Sequence, residues 1–166
     1  MNVVAKFSKV SYEQFKKDYI NIFGETPNDI VREIYDKIKI PKRATKYSAG
    51  HDFYCPMEID IKAENYVLIP TGIRCKINPD WVLNCYPRSG LGFKFGMNLI
   101  NTVGIIDSDY YYSENEGHIM AKISSHKDMM LKEGDRFMQG VFTIYGSTED
   151  DNASDIRNGG LGSSGR

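Results

Sequence analysis

Two patterns of apolar and polar positions divide the chain near residue 40. Before that point apolar residues fall at helical spacing, first Tyr12, Phe15, Tyr19 and Phe23, then Ile30, Val31, Ile34 and Ile38. Positions three and four apart share one face of a helix, so each set forms a single stripe. Ser11-Tyr-Glu-Gln14 has the form of a capping box, and Gly24 supplies a stop. Thr26 is expected as the N-cap of a second helix, with Pro27 at its first position and Pro41 closing it. Residues 11–38 are therefore predicted to form two short helices whose stripes pack on their own domain.

From residue 42 the pattern changes to short runs with turn residues between them. Tyr66–Pro70, Ile73–Ile77, Trp81–Tyr86, Met97–Ile100, His118–Ser124 and Arg136–Tyr145 are the clearest predicted strands. Their spacing suggests a sandwich or barrel with tight connections. Strands do not alternate with long helices, which argues against a parallel α/β fold. Gly146–Asp155 is polar and acidic and reads as a linker. The chain then ends in Arg157-Asn-Gly-Gly-Leu-Gly-Ser-Ser-Gly-Arg166, too rich in glycine to hold one conformation by itself. This divides the chain into an N-terminal helical extension (1–40), a β domain (41–146), and a linker with a C-terminal arm (147–166).

Composition narrows the function classes. A length of 166 residues suggests one domain, large enough to bury a core without disulfide or metal staples. With 21 basic and 22 acidic residues the net charge is −1, and no Lys/Arg run exceeds two residues. A general nucleic-acid binder needs a concentrated basic face, which argues against that class, but a few placed arginines suffice for a nucleotide. Cys55, Cys75 and Cys85 form no CxxC pair and, with His51, His118 and His126, no metal-ligand spacing. They are expected to be thiols in a reducing compartment. Neither a signal peptide nor a membrane span is evident, and a cytoplasmic location is expected.

Three segments carry candidate chemistry. In Pro87-Arg-Ser-Gly-Leu-Gly92 the glycines let the backbone turn and present N–H groups to an anion, with Arg88 and Ser89 as further donors. A tight turn with a solvated arginine is the plainer reading. In Asn101-Thr-Val-Gly-Ile-Ile-Asp-Ser-Asp-Tyr110 the apolar pair Ile105-Ile106 leads into Asp107. A carboxylate held there is ionised at neutral pH and can accept a proton from water. Asn101 offers donors and an acceptor suited to a base edge, and Tyr110 offers a flat face. An Asx-type turn in solvent is the alternative. The glycine-rich tail lacks the Gly-Lys-Ser/Thr of a Walker loop, which leaves a disordered terminus or an arm that orders over a triphosphate.

In order and spacing these segments resemble the five motifs of the trimeric dUTPase family. Ala49-Gly-His-Asp-Phe53, Pro87-Arg-Ser-Gly-Leu91, Gly104-Ile-Ile-Asp-Ser-Asp-Tyr110, Gly134-Asp-Arg-Phe-Met-Gln139 and the segment from Arg157 to Gly165 look like motifs one to five. The resemblance covers roughly residues 40–166 and implies an all-β jelly roll, or β-clip barrel, here with a short N-terminal helical extension. It also implies a homotrimer with sites at subunit interfaces, dUTP as substrate, and Mg²⁺-assisted hydrolysis to dUMP and pyrophosphate. By motif, Asp107 would activate the attacking water. Tyr110 would pack on the deoxyribose, while Asn101 and the hairpin backbone around Gly104 would read the uracil. Arg88, Ser89, Gly90 and Gln139 would hold phosphates, and Asp52 would stand near the water shell of the metal. Arg157, Ser163 and Ser164 would close over the outer phosphates from another subunit.

Three features depart from the family pattern. Tyr111-Tyr-Ser-Glu-Asn-Glu116 intervenes before Gly117, an insertion of about five residues relative to the resemblance. Leu161 stands where the fifth motif usually carries an aromatic, so the base would be covered by apolar contact without stacking. The N-terminal helices have no counterpart in the minimal pattern. A dCTP deaminase, which shares the fold, needs a glutamate on the strand after motif three. That strand reads His118-Ile-Met-Ala-Lys-Ile-Ser124 and has no acidic residue. A nucleotide-responsive regulatory protein on the same scaffold is the other alternative.

Overall fold

The structure is a computed structural model that describes residues 2–155 and Arg157. In chain order its elements are β1 (Ala5–Lys9), α1 (Tyr12–Phe23), α2 (Asn28–Lys37), β2 (Lys42–Arg43), β3 (His51–Tyr54), β4 (Ile59–Ile61), β5 (Tyr66–Pro70) and β6 (Ile73–Ile77). There follow β7 (Trp81–Pro87), α3 (Ser89–Phe95), β8 (Asn98–Leu99), β9 (Gly104–Ile106), a 3₁₀ turn (Ser108–Tyr112), β10 (Met120–Ser124), β11 (Met129–Leu131) and β12 (Arg136–Ile144). Among the described residues every strand pairing is antiparallel. The main sheet runs β2-β3-β12-β7-β9, a smaller one runs β5-β10-β8, and β1-β6 and β4-β11 form ribbons. This is an all-β jelly roll with the helices packed on it.

Alternation explains which face each strand buries. In β6, Ile73, Cys75 and Ile77 point inward while Arg74 and Lys76 do not, as a period of two requires. Phe53, Ile69, Leu83, Ile123 and Phe137 are fully buried from five different strands and form the centre of the core. Phe15 of α1 and Val31 of α2 are equally buried in the same cluster, so both helices are built into the core of the β domain. Burying one such phenylalanine contributes about 2–3 kcal/mol. The close fit is visible at Gly72, in the left-handed region at φ 71°, where an added Cβ would overlap the Ile38 side chain and touch Phe15. The three cysteines are buried and unpaired, and burial pushes each thiol up to about 12, which keeps it protonated.

Several expectations need correction. Ser11 caps α1 as predicted, its hydroxyl accepting from the Gln14 N–H at 3.2 Å. Thr26 does not cap α2. Its hydroxyl donates to the Gly24 carbonyl, Pro27 takes the cap position, and the helix begins at Asn28. Ile30, predicted on the inner stripe, is 46% exposed. Residues 5–9, not singled out from the sequence, form β1 along β6. Ser89–Phe95, read as a turn, is helical despite Gly90 and Gly92. Glycine disfavours helix, but Leu91 and Phe95 packing against the core outweighs that cost. The predicted strands at 97–100 and 118–124 shorten to Asn98–Leu99 and Met120–Ser124.

Candidate functional site

The predicted site residues fall into two groups on different parts of the surface. The first lies where β7 ends and β12 begins. Asp52 of β3 is buried, and Arg88 and Arg136 approach opposite oxygens of its carboxylate at 3.4 and 3.3 Å. A buried carboxylate needs such partners to remain charged in a poorly polarisable surrounding. Gln139 sits opposite Asp52 across the β3–β12 ladder and opposite Tyr86 across β12–β7. Its side chain lies over Gly50, where a Cβ would meet the amide oxygen at 2.5 Å. Arg88 caps α3, so Ser89 and Gly90 form the first turn of that helix. A cleft of about 340 Å³ opens here, lined by Arg88, Gly90, Leu91, Leu131, Asp135 and Arg136. Two guanidiniums and a helix N-terminus make this a place for anions.

The second group surrounds a cleft of about 660 Å³ whose lining includes Asn101, Val103, Gly104, Ile106, Tyr110, Met120, Lys122 and Arg157. Its floor is mostly apolar, and a few polar groups point in, as ligand pockets require. Gly104 lets β9 approach β7 closely, since a Cβ there would come within 3.2 Å of the Cys85 Cβ. Asp107 follows β9 directly and leads the 3₁₀ turn that carries Tyr110. The Tyr110 ring is only 6% exposed, and its hydroxyl donates to the His118 carbonyl and accepts from the Asn115 amide, both at 2.8 Å. Burial raises the Tyr110 phenol, although the bond from Asn115 opposes this, so the hydroxyl stays protonated at neutral pH. Arg157 lies on Asp107 at 2.5 Å and on Asp109 at 3.0 Å of the same chain.

The two groups do not meet within one chain. Their clefts share no lining residue. Ile106 pairs with Leu83 in an antiparallel ladder, so Asp107 continues towards Val82, whereas Arg88 lies beyond Pro87 at the other end of β7. Val82 and Arg88 are about 20 Å apart along the strand at roughly 3.4 Å per residue. Each chain thus carries an arginine-bearing half and a carboxylate-bearing half, separated along one strand. Leu161, Ser163 and Ser164 lie outside the described residues.

Arg136 stands in the fourth motif with no role that spacing assigns, and its pairing with Asp52 emerges only from strand register. Lys122 and Val103 were also missed as cleft residues. Among the described residues no three His, Cys, Asp or Glu side chains gather to hold a metal. No helix there is long and apolar enough to cross a membrane.

The dUTPase family model matches residues 36–165. The deoxyuridine 5′-triphosphate nucleotidohydrolase of Lactococcus lactis is 37% identical over 133 residues, covering 77% of this chain and 89% of the relative. The crystal structure of the dUTPase from Streptococcus mutans aligns with a TM-score of 0.65 and 31% identity, covering 86% of this chain and 98% of that one. A dUTPase variant from the Staphylococcus aureus phage phi11, whose structure concerns coordination of a structural Mg(II) ion, aligns with a TM-score of 0.60. It is 17% identical and covers 73% of this chain and 93% of that one, which bears on fold alone.

Proposed function

This chain belongs to the dUTPase family, and we propose that it hydrolyses dUTP to dUMP and pyrophosphate at a site completed by a neighbouring copy. The observation that carries this reading is Asp107, set at the end of β9 beside the cleft that Asn101, Gly104 and Tyr110 line. A uracil seated between Asn101 and the β9 backbone would exchange hydrogen bonds that cytosine cannot reproduce. The buried face of Tyr110 would lie against the deoxyribose and leave no room for a 2′-hydroxyl. The α-phosphorus would then lie near Asp107.

Asp107 accepts a proton from a water molecule, and the water oxygen attacks the α-phosphorus. The bond from that phosphorus to the oxygen bridging to the β-phosphate breaks, and pyrophosphate leaves with the electron pair. Catalysis of this kind consists of positioning and of stabilising charge that spreads over phosphate oxygens. Arg88, with the N–H groups of Ser89 and Gly90, supplies donors from the anion-binding half, and Gln139 supplies another. Arg157 covers Asp107 before substrate arrives. Transfer of its guanidinium to the outer phosphates would uncover the base and close the arm, with Ser163 and Ser164 as further donors and Leu161 over the uracil.

Mg²⁺ fits this donor set as a partner of the triphosphate, since no cage of three protein ligands exists among the described residues and Mg²⁺ keeps several waters in such sites. When bound it neutralises phosphate charge. Asp52 is engaged by two arginines and would contact it only through water.

The separation of the two halves supports a cyclic homotrimer, in which the anion-binding half of one chain faces the Asp107 half of the next. The three unpaired thiols support a cytoplasmic location.

The activity is tested by pyrophosphate release from dUTP, UTP, dCTP and dTTP at equal concentration with Mg²⁺. Release from dUTP is expected to exceed that from dCTP by at least about 10³-fold in kcat/KM, the discrimination available to a site that hydrogen-bonds its substrate, and to exceed that from UTP and dTTP, whose added 2′-hydroxyl and methyl would clash with the walls of the cleft. Comparable turnover of UTP, or ammonia released from dCTP, would overturn the assignment.

A further inference from the structure

Two of the three features that set this chain apart from the minimal family pattern touch each other. Helix α1 is tied to the lengthened segment 111–116 at one point and to His118, just beyond it, at a second. At the first, Ser11 begins α1, and its N–H and hydroxyl donate to the two carboxylate oxygens of Glu116 at 2.7 and 2.5 Å. At the second, Asp18, one helical turn beyond Gln14, reaches the ring of His118 at 2.6 Å.

His118 is fully buried, and both of its ring nitrogens are engaged. The Gly72 N–H donates to Nε2 at 2.8 Å, so Nε2 carries the lone pair. The ring proton therefore sits on Nδ1 and is donated to the Asp18 carboxylate. Burial pushes the Asp18 carboxyl up, but hydrogen bonds from His118 and Gln14 outweigh it and hold the group below its ordinary value. The two contacts together hold the ring in one tautomer and one orientation. Pinned at both nitrogens, the ring fixes the backbone at residue 118. The carbonyl at that residue accepts the Tyr110 hydroxyl, and Asn115 donates to the same hydroxyl from within the insertion.

A continuous line of hydrogen bonds therefore runs from α1 to the tyrosine on the wall of the 660 Å³ cleft. We propose that Asp18 and His118 are positioning residues for selection of the deoxyribose, with α1 serving as a brace behind Tyr110. The inference rests on Tyr110 being the sugar-facing wall. Excluding a single hydroxyl demands that this wall hold its place, and a displacement of about 1 Å can cost on the order of 10²-fold in rate. Asp18→Ala leaves the Nδ1–H of a buried ring without an acceptor, so the ring and the carbonyl behind Tyr110 lose their fixed orientation. Asp18→Asn retains an acceptor oxygen at the same place.

The test is the ratio of kcat/KM for dUTP to that for UTP, measured for wild type, D18A, D18N, E116A and Y110A. Each variant is first shown to be folded by circular dichroism. D18A is expected to lower the ratio at least about tenfold, chiefly by raising KM for dUTP and admitting UTP. D18N should stay near wild type, a rescue that a general loss of packing would not produce. E116A, which removes the half-exposed tie to Ser11 and the pairing with Arg74 at 3.7 Å, should shift the ratio in the same direction and serves as the probe if D18A does not fold. A wild-type ratio in folded D18A or in E116A, with Y110A clearly impaired, overturns the brace. An unchanged ratio in Y110A shows instead that the reading of Tyr110 fails, and the brace falls with it.

Discussion

Asp107→Asn is expected to lower kcat for dUTP by about 10³-fold, within the range that a positioned general base supplies. Asparagine has the same shape and can still orient a water through its amide oxygen, but it cannot take up the proton. The loss should therefore fall on kcat, with binding of a non-hydrolysable imido analogue of dUTP changed by less than about threefold, because the missing interaction acts only in the transition state. The structure also places Arg157 on this carboxylate. The substitution weakens that contact, so analogue binding in the variant additionally reports how far the resting ion pair competes with substrate. Turnover within tenfold of wild type would show that another group is the base.

Deleting residues 157–166 is expected to reduce kcat/KM for dUTP by about 10²-fold while leaving the fold intact. Arg157 is the described residue of the arm, and its contacts go to Asp107 and Asp109 at the surface of the cleft. The core lies elsewhere, in Phe15, Phe53, Phe137 and their neighbours, so thermal melting should change little. On the proposed reading the deletion removes a closing arm that would exclude water and bring donors to the outer phosphates. Arg157→Ala should reproduce part of the loss. A truncated chain with full activity would refute the closing arm.

Much of this was legible in the sequence, for reasons that differ by element. The alternation in Ile73–Ile77 and the cap at Ser11 are local signals, and each appears where predicted. The order of the motifs likewise identified Asp107 and Tyr110 as neighbours, because they lie on one short turn. What was not legible depends on partners distant in the chain. β1 carries two lysines in five residues and becomes a strand only because β6 lies beside it. Arg136 meets Asp52, and Asp18 meets His118, across 84 and 100 residues. Strand register and helix docking decide both encounters, and no spacing rule reports them. The same holds for the split site. Motifs two and three follow each other closely in sequence, but the antiparallel pairing of β7 with β9 carries Arg88 and Asp107 to opposite ends of one strand.

That separation makes the shared site the claim most open to direct test. D107N and R88A chains are each expected to be inactive, since each lacks one half of every site. They are labelled with different affinity tags, unfolded, and refolded together in equal amounts, and oligomers carrying both tags are isolated. Activity is then measured on dUTP. If the Arg88 half of one chain works with the Asp107 half of its neighbour, about a third of the junctions in a cyclic trimer carrying both tags pair two intact halves, and activity should return to roughly that fraction of wild type. Mixed oligomers as inactive as either parent would contradict the account and place the whole site within a single chain.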